Sequence, residues 1–225
     1  MPSQRKNVKK TAGLLLLGLL TFQSVSAHVV VQELDNISKT DAAFLYLVLG
    51  FKHILPLGFD HILFVLCLFL LSPKLKPIIL QSTAFTVAHS VTLCLAAYNV
   101  INPPSRIIEP LIALSILYVA LENIFSPRLK PSRIGIVFLF GLVHGLGFAG
   151  ALAEMGLPKN AYFTSLIMFN VGVELGQLTV ILAAWFLLAK WFSKKGYYRS
   201  RIVIPLSVVI VLIASFWTIQ RIFFV

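Results

Sequence analysis

Histidine has an unusual distribution in this sequence. The chain has five histidines, and four of them stand within long apolar stretches: His53, His61, His89 and His144. Neutral imidazole is a common ligand of nickel, copper, zinc and iron, whereas calcium and magnesium prefer cages of oxygen atoms. Histidines in this setting therefore indicate a site for a divalent transition metal ion, with nickel, zinc, cobalt and copper as candidates.

Two carboxylates in apolar stretches extend the candidate ligand set. Asp60 directly precedes His61, and Glu174 lies near the middle of another apolar segment. Placing an ionisable group in hydrocarbon costs about 3 kcal/mol or more, so such residues are paired or functional. We therefore predict six candidate metal ligands, of which only a few bind an ion at once. They are His53, Asp60, His61, His89, His144 and Glu174.

Polar side chains at helical spacing accompany these ligands. Thr86 lies about one turn before His89, while Asn170 and Gln177 flank Glu174 on one helical face. We expect these three polar residues to support the site. A fourth candidate, Glu122, stands near the end of its apolar segment. It either supports the site or pairs with a base in the loop that follows, Arg128 or Lys130.

The composition identifies the lipid bilayer as the solvent of this chain. Of its 225 residues, 58% are hydrophobic and 12% are charged, where soluble proteins carry about 25% charged residues. The apolar runs are long and do not alternate with polar residues, so helices and not a β-barrel span the membrane. We predict an all-α membrane protein with a bundle of about six transmembrane helices.

The first predicted span, residues 42–72, is interrupted. It is longer than a bilayer requires and contains Pro56 and Gly58 in mid-course. Because proline removes an intrahelical hydrogen bond, we expect a broken helix there, with the backbone carbonyls near Lys52 and His53 freed. Broken helices at membrane depth typically line a cavity or a site. The other five spans are predicted at residues 78–98, 108–125, 134–152, 162–189 and 202–220.

The net charge of +11 reflects membrane topology. Lys and Arg concentrate in every second connection between spans, and the positive-inside rule makes those connections cytoplasmic. This predicts a multi-pass protein of a bacterial-type inner membrane with both mature termini outside. No basic stripe with interleaved aromatic residues is present, which argues against nucleic-acid binding. The expected partners are membrane lipid and the metal ion, and the spans are compatible with a monomer or a homo-oligomer.

The first residues have the organisation of a signal peptide. Four bases precede an apolar stretch over residues 12–22, and small residues end at Ala27. We predict a signal peptide over 1–27 and a single transmembrane domain over 28–225, with an uncleaved anchor helix as the alternative. Cleavage would leave His28 first, where its α-amine and imidazole together suit metal capture.

Four segments together resemble the HupE/UreJ family of hydrogenase and urease accessory membrane proteins, which are read as nickel permeases. They are residues 50–61, 83–90, 140–149 and 169–177. The resemblance covers about residues 42–190 and implies a permease that favours nickel. The family element in which a His is followed by Asp-His, implicated in nickel passage, maps onto His53, Asp60 and His61.

The chain departs from the family pattern in one spacing. The family pattern has five residues between the first His and the Asp, whereas six residues, 54–59, lie between His53 and Asp60 here. On a continuous helix the extra residue would turn His53 by about 100°. This spacing indicates a divergent branch of the family.

The function predicted from these observations is transport by a permease. A hydrated ion would enter from the outer side, shed water onto Asp60 and the imidazoles, and leave past the polar faces of other spans. The chain has no Walker A loop, so the energy comes from gradients or from a partner. Two other classes remain open: an intramembrane metal-dependent hydrolase with a His/Asp zinc site, and a sensor or assembly factor. The absence of HExxH and G-x-S-x-G motifs disfavours the hydrolase.

Overall fold

The computed structural model describes residues 37–126 and 128–224, which form helices and turns and contain no strand. The predicted signal peptide and His28 lie outside the described residues. The principal helices are α1 (Lys39–Ile54), α2 (Phe59–Leu71), α3 (Leu75–Ala97), α4 (Ser105–Phe125), α5 (Arg133–Met155), α6 (Tyr162–Ala184) and α7 (Ile204–Phe223). A 3₁₀ turn at Lys159–Ala161 precedes α6. A π-helical turn at Trp185–Ala189 and a last helical turn at Lys190–Phe192 extend α6. A second π-helical turn at Arg199–Val203 precedes α7.

The helices are long and apolar enough to form a membrane bundle. Within the described ranges, five of them could each cross a bilayer, and α1 with α2 makes a sixth, bent span with an angle of 67° between its halves. The predicted all-α bundle with a broken first helix is therefore confirmed.

The break in the first span follows from two residues. Pro56 lies just after the end of α1, and the Leu55–Pro56 peptide bond is cis. Gly58 precedes α2, and a Cβ at Gly58 would lie 2.2 Å from the carbonyl oxygen of His53, so only glycine fits this close approach. The Lys52 carbonyl accepts a hydrogen bond from the Leu57 N–H at 3.3 Å. The prediction of a free carbonyl at Lys52 is therefore wrong, because the turn itself uses that oxygen.

Hydrogen bonds at the two ends of the broken span show that this span crosses the bundle. Before α1, the Ile37 carbonyl accepts a hydrogen bond from Asn160 Nδ2 at 2.9 Å. Near the end of α2, the Cys67 carbonyl accepts one from Asn123 Nδ2, also at 2.9 Å. Asn160 lies just before the start of α6, and Asn123 lies in the last turn of α4. These two positions are at opposite ends of the bundle. We call the Asn160 end the mouth end and the opposite end, which carries the Lys- and Arg-rich connections, the basic end.

Glycines set the closest helix contacts. A Cβ at Gly50 in α1 would lie 1.9 Å from the Phe169 carbonyl oxygen in α6, and a Cβ at Gly172 would lie 2.1 Å from that of Leu47. On α5, a Cβ at Gly145 would lie 2.3 Å from the carbonyl oxygen of His89 in α3. These contacts bring backbones together, as small residues do in membrane helices, and the contact of α5 with α3 brings the segments that carry His144 and His89 side by side.

A buried ion pair closes the basic end. Arg133 is 1% exposed, and its Nε lies 3.3 Å from a carboxylate oxygen of Glu122. Its guanidinium also lies 3.4 Å from the Cys67 carbonyl oxygen and 3.4 Å from the amide oxygen of Asn123. We expected Glu122 either to support the site or to pair with Arg128 or Lys130, and the structure shows neither of these arrangements. Its partner is the base at the start of α5, which reaches back into the bundle and binds α2 to α4.

Candidate metal centre

Three histidines from three helical segments meet at the break in the first span. His53 is near the end of α1, His61 is near the start of α2, and His89 is in the middle of α3. One ring nitrogen of each lies within 4.8 Å of the others. The ring centroids of His53 and His61 are 4.7 Å apart. The continuous-helix rotation of His53 does not apply, because the break frees α1 and α2 to place both rings together.

The nitrogens of this group are available to a ligand. The Nε2 atoms of His53, His61 and His89 are buried and have no hydrogen-bond partner among the described residues. A buried polar atom without a partner costs free energy, so three in one place indicate a binding site. Two nitrogens bound to one ion at about 2.1 Å are at most about 4.2 Å apart. A small inward turn of the rings would bring all three nitrogens within reach of one ion.

A neighbouring amide fixes the tautomer of His89. Asn170 Nδ2 donates to the Leu166 carbonyl at 2.8 Å, which turns the amide oxygen toward His89. That oxygen lies 3.3 Å from His89 Nδ1. Nδ1 therefore carries the proton and donates it, and Nε2 keeps its lone pair for a metal ion. This arrangement is the usual support of a metal-binding histidine.

The fourth membrane histidine adjoins the group. The His144 ring centroid is 5.0 Å from that of His61. Ser115 Oγ donates to the Ile112 carbonyl at 2.7 Å, so its oxygen accepts from His144 Nε2, which lies 2.9 Å away. His144 Nδ1 is consequently unprotonated, and it has no partner within the described residues. His144 thus offers a second position next to the three-histidine group.

A cavity of about 640 Å³ leads from the mouth end to these rings. His53, His61 and His144 form part of its lining, together with apolar side chains such as Ile112 and Phe148. On the other side, each buried histidine has a phenylalanine about one turn nearer the basic end. Phe64, Phe85 and Phe140 form this layer, and the Phe64 ring lies 5.0 Å from Phe85 and 6.1 Å from Phe140. The site is open toward the mouth end and covered by aromatic rings toward the basic end.

Asp60 lies at the cavity rim and outside the three-histidine group. Its carboxylate oxygen is 2.8 Å from Arg221 Nη2. Arg221 also donates to the Glu109 carbonyl oxygen at 3.2 Å, and its Nε lies 3.9 Å from the Glu109 carboxylate. Arg221 therefore ties the start of α2 to the start of α4 where the cavity opens.

Glu174 also lies apart from the histidines. It accepts hydrogen bonds from Thr83 Oγ1 at 2.7 Å and from Thr86 Oγ1. Gln177 Oε1 accepts from Ser82 Oγ at 2.5 Å and lies 3.2 Å from Thr86 Oγ1. This second polar cluster borders a groove of about 290 Å³ between α3 and α6. Glu174 thus finds its partners inside the protein, as its position in the span requires, and Thr86 and Gln177 support that cluster.

The side chains of three residues at these sites were not singled out from the sequence. Lys52 and Arg221 line the cavity, and Thr83 binds Glu174. A single base inside or at the end of an otherwise apolar span is a signal that identifies Lys52 and Arg221. Thr83 carries no such signal, since hydroxyl groups are ordinary in membrane helices.

Comparison with known proteins gives one match. The family model described as HupE / UreJ protein matches residues 26–221. No curated protein and no solved structure matches significantly. The matched range includes all four membrane histidines and all the helices described above except the last two residues of α7.

Proposed function

Because the chain belongs to the HupE/UreJ family, we propose that it is a permease that carries a divalent transition metal ion, with nickel as the favoured ion. It is a multi-pass membrane protein, and its family is associated with accessory roles in nickel and cobalt transport. Cobalt, zinc and copper are the competing ions, since imidazole binds all of them.

The observation that supports this proposal is the three-histidine group at the foot of the cavity. His53, His61 and His89 present buried nitrogens without partners at the break of a membrane span. Ions in transit need ligands that replace water, and three neutral imidazoles supply them without trapping the ion in a full cage. His144 provides a neighbouring position for an onward step.

Charge distribution supports an orientation for transport. The connections at the basic end hold most of the Lys and Arg residues outside the first 36. By the positive-inside rule that end is cytoplasmic, so the cavity opens to the outer side of a bacterial-type inner membrane. In this orientation the described conformation is accessible from outside and is closed inward by the phenylalanine layer.

The rim residues suggest how an ion reaches the histidines. Asp60 is the acid closest in sequence to the group, and it is held by Arg221. An arriving cation competes with Arg221 for the Asp60 carboxylate, and then passes to the imidazoles as it loses water. Release to the cytoplasm requires the phenylalanine layer to open, and histidine protonation offers a way to couple that step to a proton gradient.

Uptake into proteoliposomes tests the proposal. Radioactive nickel, cobalt, zinc and copper are offered separately to wild type, to His61→Gln and to the control Thr179→Val, which changes an exposed hydroxyl on α6. We expect saturable uptake of at least one ion, a loss of tenfold or more in His61→Gln, and no change in the control. Equal uptake by wild type and His61→Gln would contradict the proposed site.

The geometry also supports a second candidate, an intramembrane zinc hydrolase. A three-histidine set that faces a cavity leaves a coordination position for water, as in catalytic zinc sites. However, the nearest candidate base, Asp60, is engaged by Arg221. One zinc ion retained per chain in elemental analysis, with no uptake of any ion, would favour this second function over transport.

A further inference from the structure

The cavity is much larger than a metal ion needs. Its volume is about 640 Å³, which lies within the usual range of about 300–1,000 Å³ for sites of small organic molecules. A hydrated ion with six waters needs about 180 Å³, since each water occupies about 30 Å³ in the liquid. The space above the histidines therefore has room for an organic ligand together with the ion.

The lining of the cavity suits an organic ligand better than a bare ion. Apolar side chains from three helices form part of its wall, including Leu49, Ile112 and Phe148. Such surfaces offer no ligands to a hydrated cation, but they pack against carbon atoms. Sites for small molecules combine apolar walls of this kind with a few charged groups.

A cationic side chain in the same cavity points to the charge of that ligand. Lys52 lines the cavity next to His53 and has no acidic partner among residues 37–126 and 128–224. The other base of the lining, Arg221, is already engaged by Asp60 and Glu109. An ammonium group at membrane depth is costly unless it lines a water-filled cavity, and it normally marks a functional position. Its charge repels a bare dication and attracts a carboxylate.

We propose that the cavity binds the metal ion as a complex with a small α-hydroxy- or α-amino-carboxylate chelator, one carboxylate oxygen of which pairs with Lys52. The metal end of the complex meets the nitrogens of His53 and His61, which line the cavity, and of His89, which lies beside them. These nitrogens fill coordination positions that the chelator leaves open. The carbon skeleton rests on the apolar wall. This inference rests on the proposed metal-binding function and names the form in which that metal is bound.

Equilibrium dialysis of the full chain in detergent tests the inference. Radioactive citrate or histidine is offered with and without nickel, and bound nickel is measured in the same samples. We expect at least one chelator to be retained only when nickel is present, at one chelator per bound nickel. One result would overturn the inference. In it, the protein retains nickel without either chelator, and each chelator lowers the amount of bound nickel only as far as it lowers the concentration of free nickel.

A matched pair of lysine variants examines the role of Lys52. Lys52→Gln removes the charge that lines the cavity, and Lys76→Gln removes a charge at the basic end; both side chains are exposed. We expect the ratio of affinity for the nickel chelate to affinity for nickel alone to fall about tenfold in Lys52→Gln and to stay unchanged in Lys76→Gln. An unchanged ratio in Lys52→Gln would contradict the proposed pairing.

Transport measurements separate this inference from the proposed function. Nickel uptake into proteoliposomes without chelator binding would leave the permease intact and refute the chelate. Stoichiometric chelate binding without uptake of nickel in any form would support the chelate site and refute the permease.

Discussion

His89 Nδ1 and Asn170 Oδ1 lie 3.3 Å apart across the interface between α3 and α6. The hydrogen bond joins the most deeply buried histidine of the three-histidine group to the helix that also carries Glu174. It holds the His89 ring with its Nε2 lone pair directed away from Asn170 and free for a ligand. The site is therefore supported by a helix that contributes none of its three imidazoles.

Asn170→Leu is expected to weaken metal binding by about 10- to 100-fold, the usual cost of losing such a supporting partner. The leucine cannot accept the Nδ1 proton, so His89 loses its fixed tautomer and orientation. Asn170→Asp keeps an accepting oxygen and should retain much more of the affinity. Calorimetric titration of the purified variants with nickel checks both predictions. Equal losses of nickel affinity in the two variants would show that Asn170 acts only through packing.

The close contact of α1 with α6 gives a second prediction. In Gly50→Ala the new Cβ would lie 1.9 Å from the Phe169 carbonyl oxygen, so the two helices must separate. Since α1 carries His53, we expect a lower apparent Tm in detergent and weaker nickel binding together. Gly135→Ala is the control, because a Cβ there meets nothing within 4 Å. Its effect should be neutral or stabilising by up to about 1 kcal/mol.

Local chemistry made parts of this architecture predictable. Pro56 and Gly58 act within a few residues of themselves, so the break in the first span could be predicted from the sequence. Helical spacing likewise indicated the buried face that holds Thr86 and His89, which are 7% and 0% exposed. These features depend on hydrogen bonds and periodicity along one segment.

Partners from distant segments could not be predicted in the same way. Asp60 binds Arg221, which is 161 residues away, and Glu174 binds hydroxyl groups 88 and 91 residues away. A carboxylate in the membrane needs a partner because of its desolvation cost, but that cost does not determine which residue the partner is. For this reason the predicted ligand set included both acids, whereas the group in the structure consists of His53, His61 and His89.

The ion pair that closes the basic end provides a third prediction. Arg133→Met leaves the Glu122 carboxylate without its partner, which typically costs about 3–5 kcal/mol for a buried pair. We expect a large fall in the apparent Tm in detergent. Adding Glu122→Gln should recover at least half of that fall, since the stranded charge is then removed. Arg128→Met, at an exposed position three residues beyond the end of α4, should leave the Tm unchanged.

The phenylalanine layer beneath the histidines gives the last prediction. Phe85 is 1% exposed and contacts both Phe64 and the ring of His61. Apolar constrictions block ions because water leaves them, so a polar residue at this position should let water and ions through. We expect Phe85→Ser to raise the passive, non-saturable leak of nickel into proteoliposomes. Phe85→Leu keeps the constriction apolar and should remain tight.

Folding of both variants is checked by size-exclusion chromatography and by nickel binding, which the histidines should retain. A folded Phe85→Ser protein without a leak would show that the barrier lies elsewhere, with the Arg133–Glu122 closure as the next candidate. Equal leaks in the two variants would show that the side-chain volume at this position matters and its polarity does not. A leak confined to Phe85→Ser places the inner barrier of the pathway one helical turn from the metal centre.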